Sequence, residues 1–183
     1  MSEEGTDKER EFLVTGAKKY FAVEEAMEQF RRRVQDQVAT LVGGRLSEIN
    51  KACEMDWTVD DIREYKERNP DNYNVGKQIA VDGFGALYFY LKLWREKCEV
   101  YVDLYRRRMD LAGDLWKRAA TNTITGNDIW FHRDVPEDGI PEFGERLSEA
   151  IDDFVKFIGD AGGLKRYLPS AKPEQPPMPA SPQ

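Results

Sequence analysis

Ala86-Leu87-Tyr88-Phe89-Tyr90-Leu91-Lys92-Leu93-Trp94, then Arg95-Glu96-Lys97, then Cys98-Glu99-Val100-Tyr101-Val102-Asp103-Leu104-Tyr105 is the stretch on which the fold turns. In its first part Leu87, Phe89, Leu91 and Leu93 alternate with Tyr88, Tyr90, Lys92 and Trp94; in its third, Cys98, Val100, Val102 and Leu104 alternate with Glu99, Tyr101, Asp103 and Tyr105. A period of two sends successive side chains to opposite faces of a strand, and a three-residue connection suits a hairpin. Upstream, Gln78–Asp82 followed by Gly83-Phe84-Gly85 reads as a strand and turn leading into the hairpin. Downstream, Ile129–Arg133 supplies a fourth short strand.

Helical periods flank this sheet. Val23, Met27, Phe30, Val34, Val38 and Leu41 recur every three or four residues, and Leu46, Ile49 and Cys53 resume the stripe beyond Gly43-Gly44. Each glycine costs a helix about 1 kcal/mol relative to alanine, so a kink or a close backbone approach is expected there. Thr58, Asp60 and Asp61, with Asn69-Pro70 as a stop, predict a second, short helix, followed by a turn-rich loop to Gly76. Residues 109–120, with Leu111, Leu115 and Trp116, predict another helix, and Thr121–Asn127 a polar connection. Pro141 opens a last helix whose stripe is Phe143, Leu147, Ile151, Phe154 and Ile158, closed by Gly159.

The expected fold is therefore α+β: an antiparallel sheet of about four strands, the hairpin 86–94/98–105 at its centre, packed with a long N-terminal amphipathic helix and an acidic C-terminal helix. Residues 1–18 are expected to form a flexible charged arm carrying the apolar cluster Phe12-Leu13-Val14, residues 19–168 a single domain, and residues 169–183, with six prolines, a disordered tail. The chain of 183 residues is 40% hydrophobic and 11% aromatic, enough for a substantial core, and carries a net charge of −7. That balance disfavours general nucleic-acid or membrane-surface attraction, which rests on clustered cations. No apolar run approaches the roughly 20 residues of a membrane span. Met1-Ser2-Glu3-Glu4-Gly5 shows no secretory pattern, so a cytoplasmic location is expected, with Cys53 and Cys98 as reduced thiols.

Motifs exclude more than they assign. With one histidine, His132, a multi-histidine metal site is impossible, and any Ser-His-Asp or Cys-His arrangement must use that residue. Gly83-Phe84-Gly85 lacks the third glycine and the following helix of a dinucleotide site, and Gly76-Lys77 lacks the Ser or Thr of a phosphate loop. Asp71–Asp82 has a calcium loop's glycine and final carboxylate, but Tyr73 and Val75 stand where ligands belong. A metal-dependent nuclease needs a carboxylate pattern on neighbouring strands; Glu64-Tyr65-Lys66 falls in the predicted short helix, and Tyr90-Leu91-Lys92 has tyrosine in the acidic place. No catalytic residue, metal ligand or cofactor is assigned. A His132–Asp134 pair on one side of its strand is a conceivable general base, and an enzyme built on carboxylates alone is another reading, since spatially assembled acids leave no linear signature.

What remains is surface chemistry. If the leucine face of the hairpin packs under the helices, then Tyr88, Tyr90, Trp94, Tyr101 and Tyr105 need a second cover or a partner, because monomers rarely expose large contiguous apolar patches. The expected function is a non-enzymatic protein-binding module (adaptor, inhibitor or chaperone-like) acting through that aromatic face or the long helix, with another protein or a second copy as partner. In element order the chain is similar to small acidic secretion chaperones, though one expected strand is missing and no motif accompanies the likeness. The alternative is a nucleic-acid-associated or nuclease-like protein. It would use Arg106, Arg107 and Arg108, in a stretch from Lys92 to Arg118 with eight basic and five acidic residues, beside rings able to stack bases. A second triplet, Arg31 to Arg33, reads as the solvated back of the first helix. Glu137–Asp160 carries eight acids and two bases, a face suited to basic partners.

Overall fold

The computed structural model describes residues 3–119, 124–136 and 143–169, with side chains of the first helix described from Arg10 onward. Helix α1 spans Glu3–Cys53, a single helix of 51 residues, about 75 Å long at 1.5 Å per residue. The segment from Glu3 expected as a loose arm is thus helical backbone; it is rich in Glu, Lys, Arg and Ala and contains no proline to stop the helix. From Val34 the stripe Val34, Val38, Val42, Leu46, Ile49 and Cys53 is buried, whereas Val23 and Met27 are exposed. Gly43-Gly44 does not end the helix. A Cβ at Gly43 would only touch Val59, 3.8 Å away, and one at Gly44 would meet nothing.

The sheet has six strands rather than four. These are β1 Ile62–Arg68, β2 Asn72–Val81, β3 Gly85–Trp94, β4 Cys98–Arg106, β5 Ile124–Thr125 and β6 Asp128–Val135. All pair antiparallel in the order β1-β2-β3-β4-β6-β5. The expected hairpin stands at its centre as β3 and β4, in register Leu87↔Leu104 and Tyr90↔Tyr101.

β1 replaces the predicted short helix. Thr58 does receive its capping partner, its backbone N–H donating to Asp61 Oδ2 at 2.8 Å, but the result is one 3₁₀ turn, Val59–Asp61. Beyond Ile62 the chain is extended and paired only to β2. An edge strand made of Arg63, Glu64, Lys66, Glu67 and Arg68 shows no apolar alternation, and such charge also blocks further strand addition. β2 likewise begins four residues inside the expected loop. Only Pro70 and Asp71 turn the chain, closed by Asn69 N–H donating to Asn72 O at 2.9 Å. The predicted helix over 109–120 shrinks to α2, Gly113–Arg118, because Ala112 takes left-handed backbone (φ 52°) just before it.

Helix α3, Phe143–Asp160, buries all five residues of its expected stripe, together with Ala150. It extends one residue past Gly159, and Gly162 and Gly163 terminate it with left-handed backbone. Gly163 N–H reaches Ile158 O at 3.0 Å and Gly162 N–H reaches Gly159 O at 3.0 Å, the two bonds of a Schellman stop. Pro141, expected to open this helix, and the proline-rich tail beyond Pro169 lie outside the described residues.

Both long helices pack on one side of the sheet, α1 over β1 to β3 and α3 over β3, β4 and β6, and they touch each other. Between them and the sheet lie Val75, Ile79, Leu87, Phe89, Leu91, Val100, Val102, Leu104, Phe154 and Ile158, all fully buried. Each such side chain contributes about 1.5–3 kcal/mol of apolar burial. Leu164 N–H donates to Cys53 O at 3.0 Å, tying the chain after α3 to the end of α1. Arg45 donates to Ser148 Oγ at 2.7 Å and pairs with Asp152, while Arg133 of β6 pairs with Asp153 and, at 3.4 Å, Glu149. Much of the acidic face of α3 is therefore matched by the protein's own arginines. Cys53 and Cys98 are free thiols, and burial pushes them up to about 12 and about 11. Among the described residues no helix is long and apolar enough to cross a membrane.

Candidate functional site

With the helices on one side, the register leaves the other side of the sheet without a helical cover among the described residues. Alternation places Arg63, Tyr65 and Glu67 of β1 there, with Asn74, Gly76 and Gln78 of β2 and Ala86, Tyr88, Tyr90, Lys92 and Trp94 of β3. β4 adds Glu99, Tyr101, Asp103 and Tyr105, and β6 adds Asp128, Trp130, His132 and Asp134. No Leu, Ile, Val or Phe occurs among these positions. All five aromatic residues singled out from sequence, Tyr88, Tyr90, Trp94, Tyr101 and Tyr105, share this face.

Its spine is one row across four strands: Gly76, Tyr90, Tyr101, His132, with Tyr65 beyond Gly76 on β1. Tyr90 and Tyr101 stack at 5.2 Å with planes 6° apart, and Tyr101 stacks on His132 at 5.5 Å and 20°. Trp130 meets His132 edge to face at 5.1 Å. Tyr65 packs against Tyr90 at 5.3 Å and Tyr88 at 4.7 Å. Gly76 makes this possible, since no side chain separates Tyr65 from Tyr90. Burial raises Tyr65, Tyr90 and Tyr101 well above the ordinary phenol range, keeping these three phenols neutral.

Carboxylates surround the rings. Glu99 is buried; burial alone would raise it, but hydrogen bonds from Lys97 (2.9 Å), Trp94 Nε1 (2.6 Å) and Tyr101 (3.2 Å) outweigh that and hold it below its usual range. Asp103 is the opposite case. Burial first, then the charge of neighbouring Asp128, pushes its carboxyl up to about 8 against the opposing pull of Lys92, and its Oδ1 has no hydrogen-bond partner. Burial raises Asp128 as well. Glu67 accepts from Tyr65 at 2.9 Å and from Asn74 Nδ2 at 3.3 Å. The face thus bears five carboxylates, Glu67, Glu99, Asp103, Asp128 and Asp134, against the strand cations Arg63 and Lys92 and, reaching in from the hairpin loop, Lys97.

The other candidate residues are dispersed. Arg106 points to the helix side, is 5% exposed, stacks over Trp116 at 4.2 Å and donates to Leu111 O at 2.7 Å. Arg107 is exposed, and Arg108 pairs with Asp110. The triplet therefore does not present three guanidinium groups to one surface. Arg31 and Arg32 pair with Glu28, and Arg31 also reaches Glu64 at 3.6 Å, joining α1 to β1. Glu64-Tyr65-Lys66 lies on a strand after all, but among the described residues no three acidic, histidine or cysteine side chains gather as metal ligands. No hydrogen bond joins His132 to Asp134; the imidazole serves as a plate in the aromatic row.

Comparison with protein-family models, with characterised proteins and with solved structures finds no match for this chain. Ring faces carry negative electrostatic potential, and so do the carboxylates between them; together they attract cations and repel phosphate.

Proposed function

We propose that the protein is a non-enzymatic, cytoplasmic binding module of adaptor, inhibitor or chaperone type, which captures a basic segment of a partner protein on the open face of its sheet. The observation that carries this reading is the stacked row Tyr90–Tyr101–His132, set among five carboxylates on the side the helices leave uncovered. Aromatic anchors surrounded by a polar rim are what protein interfaces use for affinity. Peptides of equal length, rich in lysine and arginine, neutral, or acidic, and a single-stranded oligonucleotide, are passed over the immobilised protein. The basic peptides bind, and Tyr101→Ala weakens them about tenfold or more. Preference for the oligonucleotide or the acidic peptide, or undiminished affinity in a folded Tyr101→Ala variant, defeats the reading.

The long helix supports a second element of the proposal, self-association. Leu13, Tyr20 and Met27 continue in steps of seven into Val34 and Leu41, the spacing of a helix–helix seam, yet Phe12 is 76% and Met27 44% exposed. A helix of this length gains little stability in water without packing. Between Tyr20, Val23 and Met27 and the hairpin tips at Pro70, Tyr73, Leu93 and Trp94 runs a groove of about 1010 Å³. The stripe that lines it in one copy can fill it in another, a self-complementary, two-fold arrangement. Sedimentation velocity is expected to find a dimer that Tyr20→Glu with Met27→Glu converts to a folded monomer; a monomeric parent protein refutes this element.

A further inference from the structure

The open face is not uniform: on the side of β1 it sinks into a cleft of about 570 Å³ lined by Tyr65, Tyr88, Tyr90, Asn74, Asp103 and Asp128, with Lys66 and Lys92 also in its lining. We infer that this cleft is a site for a single ammonium group, primary or methylated, held over the rings of Tyr65, Tyr88 and Tyr90 by the carboxylates of Asp103 and Asp128. The inference rests on the reading of this face as the binding surface and names the chemical group it selects.

The unmatched atoms in the cleft are all acceptors. Asp103 Oδ1 and Asn74 Oδ1 are buried without a donor. The orientation of the Asn74 amide follows from its neighbours: its nitrogen must face the Glu67 carboxylate and Tyr65 hydroxyl, at 3.3 and 3.4 Å, so its oxygen faces away from them. Buried acceptors left without donors are costly, and a ligand that brings N–H donors or positive charge relieves them. The charge of Asp128 disfavours ionisation of Asp103, burial disfavours that of both, and neither accepts a hydrogen bond from the described residues. A cation between them removes that repulsion; an anion adds to it.

The rings decide which cation. A divalent metal exchanges water for oxygen ligands, and ring faces offer none. An ammonium or methylammonium group gains from the same faces. The protein displays this chemistry with its own side chain: Lys92, which lines the cleft, turns its ammonium to the neighbouring rings, 4.3 Å from the Trp94 ring centre and 5.4 Å from that of Tyr101. Tyr65, on the far side of Gly76, has no such resident cation over it among the described residues.

The test titrates the whole protein with tetramethylammonium chloride and with N-acetyl-lysine methylamide, following tyrosine ring resonances by NMR, with calcium chloride and sodium chloride as controls. Saturable shifts of Tyr65, Tyr88 and Tyr90 are expected with both amines, with affinity lowered about tenfold in Asp103→Asn and in Tyr90→Leu. Gly44→Ala, on α1 and away from this face, changes affinity less than about twofold. Absence of saturation, an equal response in Asp103→Asn, or a saturable response to calcium in place of the amines overturns the inference. Basic peptides that bind equally well to Asp103→Asn leave the binding face standing and remove this site from it. Amine binding without peptide binding keeps the site and removes the protein partner.

Discussion

Replacing Asp103 with asparagine raises the stability of the ligand-free protein, and raises it far more at pH 9 than at pH 4. In the unfolded chain this carboxyl titrates at its ordinary value near 4; in the fold, burial and the charge of Asp128 move it up to about 8. Between those values the folded state holds a proton that the unfolded state has released, so stability falls as pH rises through the window and levels off above about 8. Each unit of separation corresponds to about 1.4 kcal/mol, so the advantage of asparagine should grow by on the order of 5 kcal/mol from pH 4 to pH 9. Urea denaturation of both proteins at intervals across this range measures it. A difference that stays flat with pH contradicts the assignment. Asp128→Asn should give a smaller effect of the same sign, and the double variant less than the sum, since the charge of Asp128 is part of what raises Asp103. Gained stability together with lost amine binding is the pattern of a residue kept for its ligand.

Gly76→Ala is expected to be, with Gly85→Ala, among the most damaging single methyls in the sheet. A Cβ at this position would run into the Phe89 carbonyl oxygen and lie 2.6 Å from Tyr90 Cα and 2.8 Å from Tyr90 Cβ. These are mostly backbone atoms of the neighbouring strand, and no rotamer change moves them aside. β2 and β3 must separate at the centre of their ladder, a loss of about 3 kcal/mol or more, with the Tyr65–Tyr90 contact broken as well. Thermal and urea unfolding report the first, and the Tyr65 ring resonances the second. Gly44→Ala is the matched control: a methyl there meets nothing, so α1 gains up to about 1 kcal/mol. Equal stability of Gly76→Ala and the parent protein would mean that the two strands do not approach as described.

Sequence periodicity was sufficient where an element buries one face and exposes the other. β3, β4 and α3 are of this kind, and Leu87 to Leu93, Val100 to Leu104 and Phe143 to Ile158 fell into their observed places. β1 escaped because an edge strand with one neighbour needs no apolar alternation, and the cap signals at Thr58 and Asp61 belong to a single turn. The start of β2 escaped because Asn72, Asn74 and Gly76 are turn formers by composition, yet lie on the open face, where the role of Gly76 is to be small. The same two misreadings hid half of the candidate site: Tyr65 and Asn74 could not be placed beside Tyr88 and Tyr90 without β1 and β2. Arg106 misled for a different reason. Its alternation with Tyr105 already put it on the helix side, and a buried guanidinium stacked on Trp116 cannot be told from a surface one by charge counting.

Apart from Tyr73, which packs on the helix side, the sheet separates phenylalanine from tyrosine: Phe84, Phe89, Phe143 and Phe154 are fully buried in the core, while Tyr65, Tyr88, Tyr90, Tyr101 and Tyr105 stand on the open face. Sliding β3 by one residue against its neighbours would turn Leu87, Phe89, Leu91 and Leu93 outward and press Tyr88, Tyr90 and Lys92 into the helices. At about 1.5–3 kcal/mol for each apolar side chain lost to water, such a slip would exceed the whole stability of an ordinary domain once its polar burial is counted. The pairing of Asp103 with Tyr88, and of Tyr90 with Tyr101, is thus dictated from behind, by leucines and a phenylalanine that no ligand on the open face ever touches.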